Sequence, residues 1–184
     1  MNNKMILLMG GQGVGKGTCA AEMRAAHEYN YIETGAMLRE LPADSEIAKI
    51  MARGELVPDA MFLQLVADKI AVGGDILLDG FPRTLSQAQW LVENYADKFE
   101  IHVLYLNVPE EIMMARIQKR INLGGGRADD ADAAAVRRRL DTFWKTTMPA
   151  IEWLATAPGV RFADIDATGT VPENMDAINR ALAK

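Results

Sequence analysis

The segment 10–18, with the sequence GGQGVGKGT, constrains this chain more than any other stretch. It directly follows the short apolar run 5–9 and opens a segment that we predict to be a helix. Glycines allow a sharp turn and expose backbone N–H groups, and a helix N-terminus favours negative charge. Lys16 adds a mobile positive charge. This combination predicts a phosphate-binding loop between a strand and a helix.

The loop departs from the strict motif at one position. Gly17 stands where Ser or Thr is usual, and Thr18 follows one position later. The alternative is a glycine-rich turn with an incidental lysine, which the strand–loop–helix context disfavours. A phosphate loop by itself indicates that a nucleoside triphosphate binds, and it specifies no reaction. The chain lacks the Asn-Lys-x-Asp sequence that recognises guanine in GTPases, which disfavours that class.

Apolar runs of strand length alternate along the chain with segments of helical spacing. This alternation predicts a three-layer α/β/α fold around a five-stranded parallel sheet, because parallel sheets are covered by helices on both faces. The predicted strands are 5–9, 76–78, 103–108 and 160–165, with 29–33 as a shorter fifth strand. Helices are predicted over 60–70 and 86–95 and from Pro109 onward. Residues 34–72 have helical spacing without a strand and are predicted to be a helical insert.

The composition is typical of one globular domain. The 184 residues carry 20 Lys and Arg against 25 Asp and Glu, a formal net charge of −5, whereas proteins that bind nucleic acid through its backbone are usually basic. The single Cys19 excludes an internal disulfide and a four-cysteine zinc site. No stretch approaches the ~20 apolar residues that span a bilayer. We therefore expect a cytoplasmic protein without a targeting segment that binds neither nucleic acid nor membranes.

A second informative group follows the predicted strand 76–78. Asp79 ends this strand, and Gly80, Phe81 and Pro82 form a sharp turn that leads to Arg83. An acid at the carboxyl end of a strand beside a phosphate loop can organise Mg²⁺ and its waters. Arg83 would project from the same sheet edge, where ligands of open α/β sheets bind. The alternative is an ordinary Asp-Gly turn followed by a solvated arginine.

Several motifs in the same order resemble the adenylate kinase family, and the resemblance covers nearly the whole chain. The matching segments are 13–18, 34–39, 54–59, 79–84 with Gln87, 116–120, 126–130, 136–140 and 166–169. The resemblance implies an enzyme that moves the terminal phosphoryl group of ATP to AMP, giving two ADP. It also implies that Mg²⁺ enters with ATP, and that the short lid lacks the structural zinc of longer lids.

The resemblance assigns the site residues to two nucleotides. The implied ATP site comprises Gly13, Val14, Gly15, Lys16, Gly17, Thr18, Arg116, Arg120 and Gly169. The implied AMP site comprises Thr34, Arg39, Glu55, Leu56, Val57, Gly80, Phe81, Pro82, Arg83, Gln87, Arg127 and Arg139. The implied catalytic group comprises Lys16, Arg83, Arg120, Arg127 and Arg139. Asp79 would hold Mg²⁺ through water.

The family's organisation implies a core, a helical insert for the nucleoside monophosphate and a short lid. The core would comprise 1–33, 73–118 and 131–184, with the insert over 34–72 and the lid over 119–130, in a monomer. The family usually has Ser-Thr-Gly-Asp where this chain has Glu33-Thr34-Gly35-Ala36, so Glu33 adds an acid near an anionic acceptor and Ala36 removes one.

Two other functions remain open. One is a kinase for another nucleoside monophosphate, such as UMP or CMP, which Thr34 and Gln87 disfavour because relatives for those acceptors differ there. The other is a regulatory protein that binds nucleotides without catalysis. The presence of Lys16, Asp79 and the arginines disfavours that alternative.

Overall fold

The computed structural model describes residues 3–52, 57–123 and 133–183. Five parallel strands form one sheet in the order β2-β3-β1-β4-β5, which confirms the predicted fold class. The strands are β1 (Asn3–Met9), β2 (Asn30–Glu33), β3 (Ile76–Asp79), β4 (Phe99–Asn107) and β5 (Val160–Asp166). Two of the inner strands, β1 and β3, are apolar along almost their whole length because helices cover both of their faces.

The helices lie on both faces of the sheet and pack two hydrophobic clusters against it. One cluster joins Leu7 and Leu78 to Leu91, and the other joins Ile6 and Leu104. The helices are α1 (Lys16–Ala26), α2 (Thr34–Arg39), α3 (Glu46–Ala52), α4 (Asp59–Ile70), α5 (Leu85–Tyr95), α6 (Glu110–Asn122), α7 (Ala133–Thr142), α8 (Met148–Leu154) and α9 (Val171–Leu182). A five-residue π-helical turn, Phe143–Thr147, joins α7 to α8.

The helical insert contains α2, α3 and α4, and within 34–52 and 57–72 it contains no strand. The first of these helices ends at Arg39 and the second begins at Glu46, with Pro42 between them. Proline in a helix interior removes a hydrogen bond and clashes with the preceding turn, so the break falls where the sequence requires one. The division into core, insert and lid stays a prediction, and most of the lid lies outside the described residues.

The fourth strand begins four residues earlier than predicted. β4 starts at Phe99, whereas the apolar run in the sequence starts at Val103. The segment 99–102 contains Glu100 and His102, which interrupt the apolar pattern, but it pairs in register with Asn3 to Ile6 of β1. Backbone pairing with a buried neighbour therefore extends the strand beyond its apolar run.

Among the helices of the described segments, none is both long enough and apolar enough to cross a membrane.

Replacement of Leu78 by Ala tests how strongly the central strands stabilise the fold. Leu78 is fully buried in β3 and pairs with Leu7 on one side and Ile32 on the other. We expect Leu78→Ala to lower the free energy of unfolding by about 2–5 kcal/mol, because the lost methyl groups leave a cavity. Urea denaturation measures this loss. Val72→Ala is the control: Val72 is 76% exposed, and its truncation should change stability by about 0.5 kcal/mol or less.

Candidate active site

The candidate site is built at the carboxyl edge of the sheet. The register pairs Leu8 of β1 with Asp79 of β3, and Asp79 in turn with Glu33 of β2. The segments that follow these three strands therefore begin side by side. They carry the phosphate-binding motif, the turn to Arg83 and the start of the insert, and ligands of open α/β sheets bind at this edge.

The glycine-rich loop packs on one side against α6 and is open on the other. Gly13 has a φ of +81°, and a Cβ atom there would lie 2.7 Å from the carbonyl oxygen of Met113. At Gly15 and Gly17, by contrast, an added Cβ would meet no atom within 4 Å. Gly17 and Thr18 are exposed at the start of α1, whose N-terminal N–H groups face an anion favourably.

The Lys16 ammonium lies against its own loop. Its Nζ donates hydrogen bonds to the carbonyl oxygens of Gly10 at 2.7 Å and Gly11 at 2.8 Å. The positive charge is thereby held at the first turn of the loop, beside the N-terminus of α1. A cation and a helix N-terminus on one loop are the two features that the predicted phosphate site requires, and its use by a phosphate stays a prediction.

Arg116 of α6 ties the glycine-rich loop to the loop that follows β5. Its Nη1 donates to the carbonyl oxygen of Val14 at 3.2 Å, and its Nη2 donates to those of Ala167 at 2.9 Å and Thr168 at 3.1 Å. Gly169 comes next in that loop. The guanidinium edge is used by these carbonyls, which leaves its planar face as the surface that suits a base. Arg120 lies one turn further along α6, on the same face and half-buried.

The helix α7 reaches the phosphate loop through Gln12. The Gln12 side chain donates to the carbonyl oxygen of Val136 at 2.6 Å. Arg139 lies one turn beyond Val136 and is half-buried, so the structure brings its helix to the loop. Arg127 lies outside the described residues.

Two residues of the expected acceptor site, Thr34 and Arg83, meet at a third, Gly80. The hydroxyl of Thr34 donates to the Gly80 carbonyl oxygen at 3.0 Å, and Nε of Arg83 donates to the same oxygen at 2.7 Å. Gly80 has a φ of +80°, which turns the chain sharply at the end of β3. Phe81 and Pro82, joined by a cis peptide bond, are buried behind this turn, so their side chains do not face a ligand.

Gln87 holds the turn from the other side. Its Oε1 accepts a hydrogen bond from the backbone N–H of Arg83 at 2.9 Å, and its Nε2 donates to Asp59 at 3.2 Å. Gln87 is 6% exposed, so these contacts are largely shielded from water. They join the N-terminal ends of α4 and α5. Val57, which precedes α4, is half-buried against the core, whereas Glu55 and Leu56 lie outside the described residues.

The carboxylate of Asp79 is buried at the end of β3. It is 7% exposed, and its Oδ2 accepts a hydrogen bond from the Tyr31 hydroxyl at 3.3 Å. Burial, together with the charges of Asp79 and Glu33, raises the pKa of the Tyr31 phenol, so this hydroxyl stays protonated and donates. The Arg24 guanidinium lies 4.4 Å from the centre of the Tyr31 ring.

A single oriented carboxylate suits Mg²⁺, which takes most of its ligands from water and substrate phosphates. Among the described residues, His, Cys, Asp and Glu form no cluster of three or more that could hold a metal ion. The Asp79 carboxylate is therefore a donor that fits a metal ion arriving with a phosphate ligand.

Arg39, the second arginine expected for the acceptor, is paired with Glu33. Its Nη2 lies 3.3 Å from Glu33 Oε1, and the two side chains are 63% and 31% exposed. The Arg39 side chain reaches back past Gly35 to Glu33. A Cβ atom added at Gly35 would lie 3.1 Å from Nη1 of Arg39. Arg39, which is expected to bind the acceptor phosphate, thus forms an ion pair with Glu33 in this structure.

Sequence reasoning assigned no role to three side chains that shape this site: Gln12, Tyr31 and Asp59. Each acts through a contact with a residue 28 or more positions away. No local pattern signals such contacts. A polar side chain in the glycine-rich loop and an acid at the first position of α4 are the only hints that the sequence offers.

Comparison with known proteins finds similarity to adenylate kinases over most of the chain. A family model described as adenylate kinase matches residues 8–158. The adenylate kinase of Parvibaculum lavamentivorans is 40% identical over 185 aligned positions, which cover 90% of this chain and 89% of that protein. The adenylate kinase of Thermus thermophilus is 34% identical, with 96% of each chain covered. That of Prochlorococcus marinus is 35% identical over 89% of this chain and 91% of its own.

Substitution of two loop glycines tests which side of the loop is packed. We expect Gly13→Ala to lower the free energy of unfolding by about 1–3 kcal/mol, because of its positive φ and the backbone oxygen of Met113. The control is Gly17→Ala, which meets open space at an ordinary φ and should not lower stability. Urea denaturation compares the two variants. Equal stabilities would show that the loop does not rest on α6.

Proposed function

The chain belongs to the adenylate kinase family, and we propose that it transfers the terminal phosphoryl group of ATP, bound with Mg²⁺, reversibly to AMP, giving two ADP. One observation carries this proposal. The loop with Lys16 and the turn with Arg83 leave adjacent parallel strands whose ends are aligned at Leu8 and Asp79. The segments that carry these two phosphate-binding cations thus begin side by side. A reaction between two nucleotides requires that their phosphates be held close together.

The chemistry of phosphoryl transfer explains why the site is rich in arginine. The transferred group spreads negative charge over its oxygens, so catalysis consists mainly of positioning and of stabilisation by cations. We assign the ATP phosphates to the loop 13–18 with Lys16, and the ATP base to the face of Arg116. We assign the transferred group to Lys16, Arg83, Arg120, Arg127 and Arg139.

On the acceptor side we assign the AMP phosphate to Arg39 and Arg83, and the AMP base to Thr34 and Gln87. A carboxamide offers both a donor and an acceptor to a base edge. The contacts of Gln87 with Asp59 and Arg83 support this assignment, because they hold the side chain in one orientation beside the turn. A base with the wrong polar edge would leave buried groups unpaired, which discriminates strongly against it.

Asp79 would orient the Mg²⁺ that accompanies ATP, through a water molecule. The metal ion supplies positive charge that neutralises the phosphate oxygens during transfer. The contribution of the protein is the fixed direction of the Asp79 carboxylate, which the Tyr31 hydroxyl supports. We also propose a cytoplasmic monomer that binds neither nucleic acid nor membranes, with the division into core, insert and lid given above.

The proposal is tested by measuring ADP formation from ATP and Mg²⁺ with AMP, GMP, CMP, UMP or dTMP as acceptor. We expect turnover with AMP and little with the pyrimidine nucleotides. Turnover with UMP or CMP but not with AMP would contradict the acceptor. Tight binding of ATP without turnover on any acceptor would favour a regulatory protein that binds nucleotides.

The Arg83→Ala variant tests whether Arg83 serves the acceptor AMP or the donor ATP. We expect kcat/KM for AMP to fall by about 100-fold, because a cation at the transferred group is lost, while the affinity for ATP measured by calorimetry stays within about twofold. Arg161→Ala is the matched control, since Arg161 is exposed on β5 beside Glu100 and away from the turn. An equal loss of ATP affinity in Arg83→Ala would show that Arg83 serves the donor instead.

A further inference from the structure

The ion pair between Glu33 and Arg39 lies inside the acceptor side of the site. Glu33 is the last residue of β2, in register with Asp79, and Thr34 follows it with its hydroxyl on the Gly80 carbonyl. Arg83 donates to that same carbonyl oxygen. Thr34, the residue next to Glu33, therefore contacts the same turn that positions Arg83, the other arginine expected to bind the acceptor phosphate.

Glu33 and the phosphate of a nucleoside monophosphate compete for one guanidinium. Carboxylate and phosphate oxygens are equivalent partners for the fork of an arginine. A phosphate bound to Arg39 would lie next to the Glu33 carboxylate, and two like charges at such a distance repel each other. Bidentate binding of the phosphate through Nη2 of Arg39 thus requires the carboxylate to give up the pair.

We propose that Glu33 sets the affinity for the acceptor by occupying Arg39 as an internal substitute for the AMP phosphate. This inference rests on the proposed function, since it takes Arg39 as a ligand of that phosphate. Glu33 touches no reacting atom, so it acts as a positioning residue through Arg39. Its effect belongs to the acceptor alone, because the ATP side is organised by Lys16 and Arg116 on other elements.

The expected effect is modest, because both partners are partly exposed. Exposed ion pairs are weak, and their strength corresponds to about a two- to fivefold change in an equilibrium constant. Removal of the carboxylate should therefore lower KM for AMP by about two- to fivefold. The value of kcat and KM for ATP should stay unchanged, which distinguishes this role from a general effect on folding or catalysis.

The experiment compares Glu33→Gln with the parent enzyme. Initial rates give kcat and both KM values, and calorimetry gives the dissociation constant of AMP without ATP. Glu40→Gln is the matched control: Glu40 follows Arg39 directly and is exposed, so it removes the same charge close to Arg39 without removing the pair. Thermal unfolding of each variant checks that the fold is intact.

A second pair of variants tests whether Glu33 acts through Arg39. In the Arg39→Gln background the competition no longer exists, so adding Glu33→Gln should change the dissociation constant of AMP no more than Glu40→Gln does. An undiminished effect in that background would mean that Glu33 repels AMP directly, and would overturn the proposal. A rise in KM for AMP in Glu33→Gln would also overturn it, because the carboxylate would then orient Arg39 for the phosphate.

Failure of the inference and failure of the proposed function give different results. If the parent enzyme converts AMP but Glu33→Gln matches the parent in KM and in the dissociation constant, the inference alone is overturned. If the parent neither converts nor binds AMP, the proposed acceptor is wrong and the inference falls with it. If the parent binds AMP without turnover, calorimetry on the same variants still decides whether Glu33 competes for Arg39.

Discussion

The parallel pairing of β1 with β3 is the constraint on which the rest of the site depends. These strands lie at the centre of the sheet, and their register aligns Leu8 with Asp79. One strand leads into the loop of Lys16, and the other leads into the turn of Arg83. Since both faces of this strand pair are buried, a slip of register would move apolar side chains and buried backbone groups out of place. The burial of the core therefore also fixes where the two segments that carry these cationic groups begin.

Short contacts between distant segments turn this alignment into a defined geometry. The Gly80 carbonyl oxygen accepts hydrogen bonds from Thr34 and Arg83. Gln87 connects the Arg83 turn to Asp59. Arg116 connects the glycine-rich loop to the loop that follows β5. Such groups cost free energy when they are buried without partners, so they favour one arrangement of the loops. A site organised before its ligands bind loses less entropy when they do. The Arg39–Glu33 pair is different, because both side chains are partly exposed, and in our proposal the AMP phosphate replaces the carboxylate.

Much of the fold was predictable because its signals are local. Apolar runs of strand length, helical spacing and the break at Pro42 each depend on neighbours in the sequence, and the five parallel strands agree with them. The start of β4 was not predictable, since Glu100 and His102 interrupt the apolar pattern and only pairing with β1 extends the strand. The π-helical turn at Phe143–Thr147 carries no recognisable signal either. Its Thr147 hydroxyl donates to the Arg83 carbonyl at 3.0 Å, a contact between residues 64 positions apart.

The sequence by itself determined the chemistry that this protein can offer: a glycine-rich loop with a lysine, an acid at a strand end, and arginines in a recognisable order. These features depend on residue type and short spacing, which the chain displays directly. Only the tertiary structure decided which of these groups meet. It paired Arg39 with Glu33, placed the Tyr31 hydroxyl on Asp79 and brought Gln12 to the α7 backbone. The physical reason is that hydrogen bonds and ion pairs act over a few ångströms, and the packing of helices on the sheet decides which distant residues come that close.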